Sequence, residues 1–288
     1  MMMDPTRGYE RLTLARLRAA GGSSRVFPTP DGGVHVLDLL GRGRLPPVAL
    51  LHGFSACGSS QFSSMALRLR PHVRRLLLPD LPGHGASDIP AALTSDVLER
   101  GLAVALDRAV HPERPVVLFA SSLSGGLAIR YAARRPERVA GLMLCSPGGV
   151  APTPEEYEDL SAALSVGSFA EALAFVDRAM TVPSVLRPVY AWGVWRQFQR
   201  PHLRRFVAAG DGATFLREEE IAALSMPVHV IWGAQDRLLP ARHLEVLRAA
   251  LGPQATFEMP ATFGHAPFLH HGDALVARLV RFLRRCDG

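Results

Sequence analysis

The chain has 288 residues and a formal net charge of +6, and its basic complement is entirely arginine, since it contains no lysine; asparagine is absent as well. That length buries enough surface for a large core without covalent or metal staples, and Cys57, Cys145 and Cys286 lie far apart with no Cys-x-x-Cys or Cys/His pairing, which argues against a disulfide framework or a zinc site. The arginines are dispersed instead of gathered in a stripe with aromatics, which argues against a nucleic-acid partner, and neither a secretory signal nor an apolar run of membrane-spanning length is present, so a cytoplasmic protein is expected.

The chain opens with MMMDPTRGYERLTLARLRAAGG, where Tyr9 to Ala20 reads as a basic amphipathic helix with Leu12, Leu14 and Leu17 set among Arg11, Arg16 and Arg18. Residues 1–23 are expected to form a solvated helical extension, not a membrane anchor. SSRVFPTPDGGVHVLDLLG follows as two strand-like pieces around the turn signal PDGG, an antiparallel hairpin at a sheet edge. Short apolar runs then recur: PVALL (47–51), RRLLLP (74–79), PVVLFA (115–120), AGLMLC (140–145), PVHVIW (227–232) and ATFEM (255–259). Such runs suit parallel strands buried on both faces.

Between the runs lie amphipathic stretches, among them 94–110, with Thr94 and Ser95 as N-cap candidates, and 241–252, closing on Gly252. Alternating strand and helix implies a doubly wound α/β sheet, with one strand-and-helix repeat missing from the series. From Ser146 to Ser225 the strand rhythm stops, and the intervening pattern is too long for a structureless loop and fits a helical insertion.

Three serines crowd into LFASSLSGGLAIRYA, an apolar run passing through a corner into a helix, which is the setting of a nucleophile elbow, G-x-S-x-G. A nucleophile there takes a strained backbone conformation, and the residues two before and two after it must be small. Centring on Ser122 places Ala120 and Ser124 in those slots, whereas Ser124 as the centre would lie inside the first helical turn and Ser121 would put Phe119 in a small slot. Ser122 is therefore favoured.

A serine hydroxyl needs a histidine to accept its proton and an acid to orient that histidine. Asp236, in GAQDRLLP, follows an expected strand, and His265, between Gly264 and Ala266, precedes an amphipathic C-terminal helix. His270 and His271 are rivals nearer the helix start and read more simply as capping or solvated residues. The turn His52-Gly53-Phe54 after PVALL offers oxyanion donors, the backbone N–H groups of Phe54 and Leu123. His52 reads as a brace for that turn, and Asp80, His84 and Asp88 in PDLPGHGASD read as turn architecture.

HGF at 52, DLPGHGASD at 80, ASSLSGG at 120, WGAQDRLLP at 232 and GHAPFL at 264 together resemble the alpha/beta-hydrolase superfamily, from about Ser24 to Arg285. The resemblance implies an α/β fold with an eight-stranded, mostly parallel sheet flanked by helices. It implies a core of residues 24–146 and 226–288, a helical cap over 147–225, and a triad of Ser122, Asp236 and His265 that needs no metal or organic cofactor. Ala120 and Ser124 depart from the family's elbow glycines. A serine nucleophile argues against the haloalkane dehalogenase and epoxide hydrolase branches, which place an aspartate there.

In the expected cap, VYAWGVWRQFQRPHLRRF supplies Trp192, Trp195 and Phe198 as pocket candidates, with Phe206 and arginines beside them. An apolar acyl or aromatic group is the first expectation for the ligand. One arginine could meet a substrate carboxylate as in carbon–carbon bond hydrolases, although those usually carry Trp after the histidine where this chain has Ala266. The expected activity is a serine hydrolase of small to medium apolar carboxylic esters, acting on a small-molecule ester-like substrate through an acyl-enzyme. Alternatives are a carbon–carbon bond hydrolase, thioesterase, lactonase or perhydrolase on the same triad, or a non-catalytic ligand-binding protein of this fold. No pattern in the chain specifies an oligomeric state.

Overall fold

Strand side chains alternate between two faces, and in β5 (Val116–Ser121) both faces are apolar. Val116, Leu118 and Ala120 join one core, and Val117 and Phe119 join the other. A strand of this kind is stable only with a helical layer on each side. The computed structural model, which describes residues 5–210 and 215–287, supplies both layers.

The strands are β1 (Gly22–Thr29), β2 (Gly32–Leu40), β3 (Val48–Leu51), β4 (Arg75–Pro79), β5, β6 (Val139–Cys145), β7 (Val228–Ile231) and β8 (Ala255–Glu258). They form one eight-stranded sheet in the order β1-β2-β4-β3-β5-β6-β7-β8. The β1–β2 and β2–β4 pairs are antiparallel and all later pairs parallel. The hairpin and the six apolar runs account for all eight strands, so the missing repeat inferred from the sequence does not exist.

On one face lie α1 (Pro5–Ala19), α2 (Gly58–Leu69) and α11 (Gly272–Arg285), whose Leu17, Phe62, Met65, Leu275 and Leu279 are buried in one core. On the other lie α3 (Ser95–Ala109), α4 (Leu123–Arg134) and α10 (Arg242–Ala250), with Leu98, Leu102, Ile129 and Leu244. Between β6 and β7 run α5 (Pro154–Leu164), α6 (Phe169–Ala179), α7 (Arg187–Phe198), α8 (Pro201–Ala209) and α9 (Glu218–Ala222). Capping boxes start α5 and α6, Thr153 with Glu156 and Ser168 with Glu171, each satisfying helix N–H groups left without partners. Val166, Ala172, Val176, Ala191 and Phe198 give this segment a small core of its own.

The N-terminal helix is docked, not solvated. Leu17 is fully buried, Thr6, Glu10 and Thr13 are buried, and Leu12 is 67% exposed. Arg200, just before α8, pairs with Glu10 at 3.0 Å, and Gln197 of α7 donates to the same carboxylate at 3.2 Å. Among the described residues no helix is long and apolar enough to cross a membrane.

Candidate active site

β5 ends at Ser121 and α4 begins at Leu123, which leaves Ser122 alone at the corner with φ 53° and ψ −123°. A non-glycine residue reaches positive φ only where its surroundings hold it there. Here the Ser122 N–H donates to the Cys145 carbonyl at 3.2 Å, and the Ser122 carbonyl accepts from the Gly125 and Gly148 N–H groups, both at 2.8 Å.

The departures from the elbow pattern have a local explanation. A Cβ on Gly125 would lie 2.3 Å from Pro147 Cβ, and one on Gly126 would lie 3.2 Å from the Gly148 carbonyl oxygen. The close approach of helix to neighbouring loop therefore falls on Gly125 and Gly126, not on position 124. Ser124 is fully buried, and its hydroxyl donates to the His52 carbonyl. It is thus a tie between α4 and the loop after β3, a role beyond that of a small stand-in for glycine.

Asp236 follows β7 with its side chain fully buried. Oδ1 accepts from the Leu238 and Leu239 N–H groups at 2.9 and 3.1 Å, and Oδ2 lies 2.7 Å from His265 Nδ1. Burial pushes its carboxyl pKa up, but the His265 imidazole and the two N–H donors outweigh burial and hold it below the ordinary carboxylate value. An ionised carboxylate only accepts, so His265 carries a hydrogen on Nδ1, and in the neutral ring Nε2 is then the free acceptor. That Nε2 is buried and without a partner, and His265 lines the same cavity as Ser122. His270 and His271 line a different, outer cavity and rest edge-on and stacked against Tyr190 and Phe263.

The loop after β3 is pinned from below. His52 is fully buried, its Nδ1–H donates to the Gly53 carbonyl at 2.8 Å and its Nε2 accepts from Leu81 N–H at 3.0 Å. Both ring nitrogens are used in the neutral form, and burial lowers its pKa against the pull of Asp80. His52 is therefore a brace. The Gly53 N–H donates to Gln61 Oε1 at 3.0 Å, and a Cβ at position 53 would lie 3.3 Å from Ser122 Cβ.

Asp80 accepts from the Gly58 and Ala86 N–H groups at 2.8 and 3.0 Å and faces His35 Nδ1 at 2.8 Å. Asp88 accepts from Gly33 N–H at 2.7 Å, and His84 Nδ1–H donates to the Pro82 carbonyl at 2.9 Å. These three residues organise turns behind the site.

His84 also sets an acid limit on the fold. Burial, reinforced by neighbouring His52, pushes its pKa from the ordinary 6.5 down to about 3. Between those values the unfolded chain binds a proton that the folded chain refuses, so stability is complete above about pH 6.5 and falls as pH drops toward 3. This one group contributes a slope of about 1.4 kcal/mol per pH unit. Urea midpoints at pH 7.5 and 5 should show the loss, and His84→Phe should reduce its slope by that amount, the rest coming from His52, His202, His229 and His243, which burial also lowers; an unchanged slope in that variant contradicts the assignment.

Two chambers meet at Ser122. The larger, about 530 Å³, is bounded by His265, Ala266 and Phe268, by Phe175, Trp192 and Phe198, and by Gln61. The smaller, about 180 Å³, is bounded by Leu123, Leu127, Gly148, Gly149, Leu160 and Phe206. Of the three aromatic residues expected in the pocket, Trp192 and Phe198 line it. Trp195 lines neither chamber; its indole N–H donates to the Gly167 carbonyl at 3.3 Å and its ring meets Phe169 edge-on, inside the α6–α7 packing.

No arginine lines either chamber among the described residues, so the expected partner for a substrate carboxylate is not there. Sequence reasoning missed Thr6 and Tyr9 of α1, which border the larger chamber, and the part played by the Phe54 ring. That ring stacks on Phe206 and meets Phe198 edge-on, both at 5.6 Å between centroids, forming the partition between the chambers.

The family model for the alpha/beta hydrolase fold matches residues 46–171. A pimeloyl-[acyl-carrier protein] methyl ester esterase of Xanthomonas axonopodis pv. citri is 31% identical over 267 residues, covering 86% of this chain and 98% of that protein. Among solved structures, a bacterial membrane phospholipase A superposes with a TM-score of 0.79 at 22% identity, covering 98% of this chain and 92% of its own. The naproxen esterase of Bacillus subtilis gives 0.77 at 20% identity, covering 96% of each chain. The eight-stranded sheet and the relatedness across most of both chains lead to one conclusion: the chain belongs to the alpha/beta hydrolase family and is a hydrolase.

Proposed function

We propose that the protein is a serine hydrolase of small to medium apolar carboxylic esters, with Ser122 as nucleophile, His265 as base and Asp236 as its orienting acid. The observation that carries this reading is the buried, partnerless Nε2 of His265, on the cavity it shares with Ser122, while Nδ1 is held on Asp236. The described residues of 147–225 act as a cap roofing the two chambers over the core of 24–146 and 226–288, and within the N-terminal extension of 1–23 the helix α1 closes one side; residues 1–4, 211–214 and 288 of these ranges lie outside the described residues.

In the first half-reaction His265 Nε2 takes the Ser122 proton as Oγ attacks the ester carbon. The Phe54 and Leu123 N–H groups receive the developing oxyanion. Collapse breaks the bond to the alcohol oxygen, to which His265 returns the proton. Water then enters, gives its proton to His265, attacks the acyl-enzyme and releases the carboxylic acid, with the proton passing back to Ser122.

The chamber walls favour a neutral ester over a carboxylate-bearing substrate, because no cationic arginine borders them among the described residues. That also weighs against carbon–carbon bond hydrolysis of an anionic substrate. The name of the Xanthomonas relative fits ester hydrolysis. A fluorophosphonate tests the reading, since it reacts where an activated hydroxyl and oxyanion donors coincide. One bound equivalent supports it and none rejects it.

A further inference from the structure

Phe54, Leu164 and Leu238 border both chambers, so a substrate held at Ser122 can place one part in each. Proton transfer decides which part goes where. The same His265 Nε2 that deprotonates Ser122 must lie within hydrogen-bond reach of the leaving oxygen to protonate it. The alcohol portion therefore extends on the His265 side, along Ala266, Phe268 and Leu269, into the larger chamber. With the carbonyl oxygen on the Phe54 and Leu123 N–H groups, the acyl chain takes the remaining direction, past Leu123 into the smaller chamber.

Resting on the serine-hydrolase reading above, we propose that the acyl pocket is the 180 Å³ chamber and the alcohol pocket the 530 Å³ chamber. The substrate class is then an ester of a short straight-chain acid with a bulky, largely apolar alcohol. At roughly 30 Å³ per water-sized group the smaller chamber holds about six such groups, and Leu127, Leu160 and Phe206 make its wall apolar. The larger chamber is walled by Phe175, Trp192, Phe198 and Phe268, and Gln61 is among its polar lining residues. Gln61 Oε1 is fixed by the Gly53 N–H, so its Nε2 is the free end, and that atom is buried without a partner. A buried donor of this kind is costly unless it is satisfied. An ether, ester or hydroxyl oxygen on the alcohol portion would satisfy it.

The test uses the intact protein and two ester series. In 2-naphthylethyl esters from acetate to dodecanoate, kcat/KM climbs about fourfold per methylene to about six carbons, then falls at least about tenfold by dodecanoate. In butyrates of methanol, hexanol and 2-naphthylethanol, alcohols of similar acidity, the naphthylethyl ester exceeds the methyl ester at least about tenfold. Leu160→Trp lowers the hexanoate-to-acetate ratio about tenfold and leaves the naphthylethyl-to-methyl ratio unmoved.

The assignment is overturned if dodecanoate methyl ester outruns naphthylethyl butyrate, or if Leu160→Trp changes the alcohol ratio instead. If that variant fails to fold, the two wild-type series decide alone. Turnover with the reversed preference leaves the serine-hydrolase reading standing, whereas no turnover of any ester together with no fluorophosphonate adduct removes both.

Discussion

Ser122→Ala is expected to lower kcat on a nitrophenyl ester by about a millionfold, with the folded state preserved. Ser122 lines the cavity of His265 and stands at the corner directly before Leu123, one of the two proposed oxyanion donors. Its neighbours cannot replace it. Ser121 belongs to β5, and the Ser124 hydroxyl is committed to the His52 carbonyl. The backbone bonds that hold the corner, from Ser122 N–H to Cys145 and from Gly125 and Gly148 to the Ser122 carbonyl, are untouched by the substitution. Steady-state kinetics with circular dichroism check both halves, and a variant retaining more than a hundredth of the activity would place the nucleophile elsewhere.

Asp236→Asn is expected to cost about ten-thousandfold in kcat, for a reason of hydrogen-bond direction, not size. Asp236 accepts three bonds, from Leu238 N–H, Leu239 N–H and His265 Nδ1–H. An asparagine keeps its oxygen on the two backbone donors and turns its NH₂ toward His265 Nδ1. That nitrogen must then accept, which moves the ring hydrogen to Nε2, where it can no longer take the Ser122 proton. Shape and packing are conserved, so the melting temperature should move little while kcat collapses. An Asn variant within tenfold of wild type would mean that the carboxylate does not set the histidine's tautomer.

The sheet was legible because the strands of a doubly wound fold are buried twice over. Val116 to Ser121 has no water-facing side, so its signature is an unbroken apolar run. The elbow was legible only through its partners. Ser122 alone is one serine among three, and Asp236 and His265 at the ends of later strands raise it above the others.

What sequence could not show has identifiable physical causes. The buried stripe of α1 is Thr6, Glu10, Thr13 and Leu17, mostly polar and matched by Arg200, Gln197 and Ser59. Hydropathy instead singles out residues such as Leu12, which faces water. A face buried through paired polar groups leaves no apolar period to read. Trp192 and Trp195 lie three residues apart on α7, close enough to look equivalent, yet only Trp192 reaches a chamber. Which side of a helix faces a cavity depends on the helix packed behind it, here α6. The tolerance of Ser124 was equally hidden, because the carbonyl that accepts its hydroxyl belongs to a residue 72 positions away.

The account's central claim is that the Ser122 hydroxyl is activated by His265, and labelling with peptide mapping tests it most directly. Treated with a fluorophosphonate, the wild-type protein should gain one adduct, located on Ser122. Labelling should be absent in Ser122→Ala and strongly slowed in His265→Ala. An unlabelled wild type, an adduct on Ser121 or Ser124, or undiminished labelling of either variant would contradict it.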